Sequence, residues 1–253
     1  MGRHPRSRIE YAKTITWYDY CFNQLKYFEG IKSDYAFTKF LYKDTDKNQD
    51  NNLFKRYRYG LSTPQNEWMD IVDSKVNGSS GILNHQIWNN LKNCPQDEES
   101  LLIQLQQLPT FITAPVLDKE NFSIKEFDEK ALVHVAQFQS LDSLSALYLL
   151  HRWGYIIGSH RLVNDCYSVI LNSLCGLLIV NGCLDRSHVL LFDELFEQIF
   201  VIKVIGYSRP SIGQFSWRES RERSWDKDIK NLSKKEENFL LTHPEISQFI
   251  NSP

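Results

Sequence analysis

Residues 188–205, HVLLFDELFEQIFVIKVI, decide the fold class. Leu191, Leu195, Ile199 and Ile202 recur at helical spacing, while Asp193, Glu194, Glu197 and Gln198 oppose them. That is the period of an α-helix with one apolar stripe turned inward. Upstream, Leu144–Trp153 reads LSALYLLHRW and is apolar almost all round, as a helix deep in a bundle must be. His160–Val180 supplies a further long segment. Its most lipid-like part, Tyr167–Val180, is broken by Ser168, Asn172 and Ser173 and falls short of the ~20 residues a bilayer span needs, so no membrane span is expected.

Toward the N-terminus the same periods continue. Trp17–Phe28 reads as a first helix stopped by Gly30, and Ser33 or Asp34 caps a second that carries Phe37, Phe40 and Leu41 inward. The polar run Lys43–Asn52 is a loop. Leu53–Tyr59 is a short helix closed by Gly60, and Pro64 opens another with Trp68, Met69, Val72 and Val76. Asn77–Gly81 is turn material, Ile82–Leu91 has no decisive period, and Asn93-Cys94-Pro95-Gln96 breaks the chain. Glu98–Leu108 and Lys125–Gln137 are expected helices, with a short strand over Thr110–Ala114 between Pro109 and Pro115. Tyr207–Ser216 reads as a loop, and a capping box lies at Ser233–Glu236 in the polar tail.

The expected architecture is therefore mainly α: an N-terminal helix-turn-helix-like region over 1–93 packed on a helical bundle over 96–206, followed by a polar tail with short helices over 207–253. Composition agrees. The chain is 42% hydrophobic and 13% aromatic, which excludes a wholly disordered polymer, and its eleven Gly and eight Pro are too few for a barrel or sandwich of many short strands. The net charge of −2 hides an asymmetry: residues 1–60 carry twelve Lys/Arg against seven Asp/Glu, a balance of +5, and the remainder sums to −7. A basic end can approach phosphate, while the acidic remainder argues against a protein that coats nucleic acid along its whole surface. Cys21, Cys94, Cys166, Cys175 and Cys183 are odd in number and form no CxxC pair, the usage of reduced structural thiols. MGRHPRSRIEYAK at the start is charged and leads into no apolar signal core, so a cytoplasmic protein is expected.

One stretch carries a functional hint. Residues 51–76 read NNLFKRYRYGLSTPQNEWMDIVDSKV. An inward apolar residue (Phe54) is followed at three by an aromatic (Tyr57), at three more by Gly60, and four later by Pro64 and a helix with Met69, Val72 and Val76. This spacing resembles the second half of a lambda-repressor-like helix-turn-helix domain of the Xre type, with Tyr35–Leu41 as the candidate first helix. Two features differ from the family: the long run Lys43–Asn52 stands where a tight turn is usual, and Arg58 stands where an acid is usual.

The resemblance implies duplex DNA as partner. It places Asn51, Asn52, Lys55 and Arg56 toward base edges, where amides favour adenine and basic groups guanine, and Arg58, Ser62 and Thr63 closer to phosphates. It also implies a DNA-binding transcription regulator whose acidic helical part mediates a homodimer or a protein contact. The rival reading is a helical protein-interaction module or complex subunit whose N-terminal hairpin is only structural.

Enzymatic constellations are not evident. Asp193, Glu194 and Glu197 with His188 lack HExxH spacing, and His134, His151 and His160 stand among apolar residues with no nucleophile motif. No GxxxxGK[ST] or GxGxxG is present to cradle a nucleotide. Trp217, Arg218, Arg221 and Trp225 fall at helical spacing, but Glu219, Glu222 and Asp226 neutralise them, as on a solvated helix. No catalytic residue, metal ligand or cofactor is expected.

Overall fold

The computed structural model describes residues 6–43, 45, 52–180, 182–195 and 198–199, leaving aside the side chains of 171–180. Its first helix, α1 (Arg8–Glu29), begins nine residues before the expected start. Ser7 is the reason: its Oγ accepts from the Glu10 amide at 3.3 Å while its own amide donates to Glu10 Oε2 at 2.9 Å, a closed capping box. Gly30, at φ 65°, ends the helix in the left-handed conformation. Thr14, Thr16, Trp17, Tyr18, Asp19 and Cys21 are all buried, so α1 is enclosed on more than one side. It touches the helices on both sides of the sequence break at 93–96, and residues Met1–Phe200 form one compact unit.

Three helices share a core with Trp17, Tyr18, Cys21 and Leu25 of α1. They are α2 (Asp34–Tyr42), capped by Ser33, α3 (Leu53–Arg58) and α4 (Asn66–Lys75). Phe54 is the hub of their core, with ring centroids 5.4 Å from Phe37, 5.6 Å from Tyr57 and 5.2 Å from Trp68, all edge-to-face. Such pairs add about 0.5–1.5 kcal/mol each beyond area burial. The turn after α3 depends on Gly60. Its φ is 68°, and a Cβ there would lie 2.9 Å from Tyr11 Cδ1 and 3.1 Å from Tyr11 Cα.

The chain continues through α5 (Ser79–Leu83), α6 (Gln86–Lys92) and α7 (Glu98–Gln107), the last capped by Asp97. Thr110–Ala114 is not the expected strand: α8 (Thr110–Thr113) is a single helical turn, because the Pro109 carbonyl accepts from the amides of Ile112 at 3.0 Å and Thr113 at 3.2 Å. Extended structure falls just beyond, where β1 (Leu117–Asp118) pairs antiparallel with β2 (Ser123–Ile124), Leu117 opposite Ile124. Then come α9 (Glu129–Ala136), started by Asp128, and the hairpin of α10 (Leu141–Ile156) and α11 (His160–Val180). Gly154 lies within α10, where a Cβ would meet Val163 Cγ2 at 2.9 Å, so the two helices approach backbone to side chain. A short 3-10 turn, Gly182–Leu184, leads to α12 (His188–Leu195), which packs on α1.

The molecule is thus mainly helical. No helix among the described residues is long and apolar enough to cross a membrane. Asn51, most of the run Lys43–Asn52, residues 196–197 and 200–205 of the expected last helix, the loop Tyr207–Ser216, the Trp217–Trp225 face and the Ser233–Glu236 capping box lie outside the described residues.

Candidate nucleic-acid interface

Helix α3 separates its residues cleanly. Phe54 and Tyr57, three apart, are buried in the aromatic core, and Asn52, Lys55 and Arg56 are exposed on the other side. Asn52 and Arg56 also make contacts within the chain. The remaining sequence candidates are placed differently. Arg58 is half-buried, its Nη1 donates to Asp34 Oδ2, and its guanidinium lies 5.6 Å from the centroid of Tyr59. Thr63 is exposed, but its Oγ1 accepts from Arg6 Nη1 at 2.8 Å. Ser62 is half-buried, and its Oγ is enclosed without a hydrogen-bond partner. Helices α2 and α3 are joined through residues 43–52, a longer connection than the tight turn of the repressor-like pattern.

Behind α3 stands a polar network that the sequence did not suggest. Asp34 accepts from Arg58 and, through Oδ1, from the Tyr18 hydroxyl at 2.8 Å. Arg186 lies 5.4 Å from the Tyr18 ring centroid, donates Nε to Asp19 Oδ1 at 2.8 Å, and donates Nη1 to the Arg58 carbonyl at 3.0 Å. Burial pushes the Asp19 carboxyl up and the facing guanidinium pulls it down; the Tyr18 phenol is raised by burial and by Asp34. The sequence signal was an acid at position 19 within a helix of large aromatic residues. Nothing in the spacing named Arg186 as its partner.

Helix α2 has an exposed basic edge. Lys32, Tyr35, Lys39 and Lys43 follow one another at steps of three, four and four, and all are exposed. The side chains of Lys32, Lys39 and Lys43 enter no ion pair or hydrogen bond among the described residues, and Lys75 borders them by donating to the Phe40 carbonyl at 3.0 Å.

The rest of the described surface offers little chemistry. Among the described residues no three His, Cys, Asp or Glu side chains converge as metal ligands would. An open cleft of about 210 Å³ between residues 125–128 and the α10–α11 turn is lined by Phe127, Trp153, Ile157 and Arg161. Its two cations are already engaged, Arg161 with Asp165 at 3.6 Å and Lys125 with the Ala114 carbonyl at 2.9 Å. Cys21, Cys166 and Cys183 are buried free thiols, and burial raises each, Cys183 to about 12, so they stay protonated. Exposed aromatics do stand out, with Tyr27 83%, Phe28 71%, Tyr35 63% and Phe111 63% accessible.

Comparison of the chain with protein-family models, curated proteins and solved structures found no match.

Proposed function

We propose that this protein is a DNA-associated regulator that presents α3 to duplex DNA. The observation that carries this reading is the division of α3, which buries Phe54 and Tyr57 in a rigid aromatic core and displays Asn52, Lys55 and Arg56 on the outside. A recognition element needs that combination, since side chains that read base edges must be held by a framework that does not move with them. Arg58 has a different part in this reading: paired with Asp34, it holds α3 against α2. The helical remainder supplies the surface for a second copy or a protein partner.

The test is binding to a pool of random duplexes across a salt series, beside a Lys55→Ala/Arg56→Ala variant. Salt-sensitive, sequence-enriched binding that the variant loses supports the reading, because each cation removed lowers counterion release or readout. Equal binding by both proteins sinks the α3 face.

A second reading has its own observation. Tyr27 and Phe28, both well exposed, stack edge-on at 5.0 Å at the end of α1, and the exposed Phe111 meets the more covered Phe138 at 5.2 Å. Aromatic clusters of this kind are enriched at protein interfaces, which suits a helical interaction module. A stoichiometric protein partner recovered from native cells without nucleic acid, and no longer recovered with Tyr27→Ser/Phe28→Ser, favours it over the first.

A further inference from the structure

We infer that the exposed edge of α2, formed by Lys32, Tyr35, Lys39 and Lys43, is a phosphate-contacting surface for the backbone of a DNA duplex. This rests on the DNA reading above and adds residues that the helix-turn-helix resemblance did not assign. Four observations carry it. Tyr35, Lys39 and Lys43 share one edge, because steps of four residues return to the same side of a helix, and Lys32 is exposed just before the Ser33 cap that begins it. Three of them are cations with no ion pair or hydrogen bond among the described residues, unlike Lys92 with Glu10 or Arg58 with Asp34. The one acid within α2, Asp34, is turned to Arg58 and Tyr18, away from that edge. The helix itself is fixed from behind by Phe37 and Leu41, both fully buried, so the edge is held rather than loose.

Charge complementarity selects the occupant. From Tyr35 to Lys43 the edge rises about 12 Å along the axis, long enough to follow a phosphodiester strand beside a groove of roughly that width. Lysine is a point charge that binds phosphate without reading bases, and a tyrosine hydroxyl can donate to the same oxygens. A single-strand binder instead lines its groove with successive aromatic platforms, and this edge has only Tyr35.

The experiment compares the full chain with a Lys32→Gln/Lys39→Gln/Lys43→Gln variant on duplex DNA from 50 to 200 mM salt. With three phosphate-binding cations neutralised, the slope of log K against log salt becomes shallower by roughly 2.7, so the ratio of wild-type to variant affinity shrinks roughly 40-fold over that range. The sequences enriched from a random pool stay the same, because these lysines read no bases. Lys130→Gln, on α9, leaves the slope unchanged. Lys39→Gln alone, expected to shift the slope by roughly 0.9, keeps the test decisive if the triple variant melts early.

Parallel slopes for wild type and triple variant overturn the edge while leaving the α3 reading intact. Changed sequence preference with an unchanged slope overturns it too, as does tighter binding to single strands than to duplex. No duplex binding by the wild type at low salt overturns both the edge and the reading on which it rests.

Discussion

Arg186 and Asp19, 167 residues apart in sequence, meet as a forked pair: Nε donates to Oδ1 at 2.8 Å and to Oδ2 at 3.2 Å, and Nη2 also donates to Oδ1. Asp19 sits in the middle of α1 and is buried, so this pair ties the turn before α12 to the N-terminal helices. Removing one member of such a pair leaves the other charge uncompensated, at a cost of about 3–5 kcal/mol for full burial. Arg186 is partly solvated, so Arg186→Ala should cost toward the lower end, about 3 kcal/mol, in urea unfolding. Asp19→Asn combined with Arg186→Met should cost less than the sum of the two single changes. Strict additivity would mean that the fork contributes nothing specific.

Arg58 and Lys55, on the same short helix, should behave oppositely. Arg58 bonds Asp34 and Lys55 is exposed with no side-chain partner among the described residues. Arg58→Ala is expected to lower stability by about 1 kcal/mol, the modest figure suited to a partly exposed pair. Lys55→Ala should leave the unfolding free energy within about 0.5 kcal/mol of wild type. A stability loss at Lys55 matching that at Arg58 would show that both are framework residues.

Two glycines hold close approaches that no Cβ fits. Gly60→Ala combines a left-handed φ of 68° with a contact at 3.1 Å to the Tyr11 backbone, and Gly154→Ala drives a methyl to 2.9 Å from Val163 Cγ2. Each should cost about 1–3 kcal/mol, Gly60 the more because backbone cannot yield as a side chain can. By contrast Gly158, also at positive φ, has open space around its would-be Cβ. Gly158→Ala therefore incurs conformational strain alone, and a loss as large as at Gly60 would show that the Tyr11 contact adds nothing.

The long-period elements are legible in the sequence because one signal suffices for each. Ser33 marks a helix start by capping, Gly30 and Gly60 mark stops, and the apolar run of α10 declares its depth. The start of α1 is obscured because polar Thr14, Thr16 and Asp19 are buried there and blur the amphipathic stripe, although Ser7 and Glu10 spell a capping box. Thr110–Ala114 looks extended because two prolines frame β-branched residues, yet the Pro109 carbonyl closes a helical turn. At the candidate interface, spacing locates the inward Phe54 and Tyr57 but does not tell a displayed cation from a paired one. That depends on Asp34, an acid nineteen residues before Leu53 whose orientation only the fold sets.

His151 is the strongest source of acid sensitivity in the described fold. Its ring packs edge-on against Tyr155 at 5.1 Å, and neither ring nitrogen has a hydrogen-bond partner. Burial, aided by the Arg152 charge, lowers its pKa from 6.5 to about 3, so the folded protein holds a neutral imidazole. The unfolded chain takes up a proton below pH 6.5 while the folded chain does not until about pH 3, so stability falls as pH drops through that window. The slope is about 1.4 kcal/mol per pH unit well below the unfolded pKa. Carboxylates held low by hydrogen bonds, such as Asp73 and Glu10, add their own loss only nearer pH ~4, while Asp19, raised by burial, acts in the opposite sense, so the His151 contribution is read as the difference between wild type and a variant without the imidazole. Urea unfolding of wild type and His151→Phe from about pH 4.5 to 6.5 should give a falling curve for the first and a flatter one for the second. Parallel curves would show that His151 takes up its proton inside the fold as readily as in the unfolded chain.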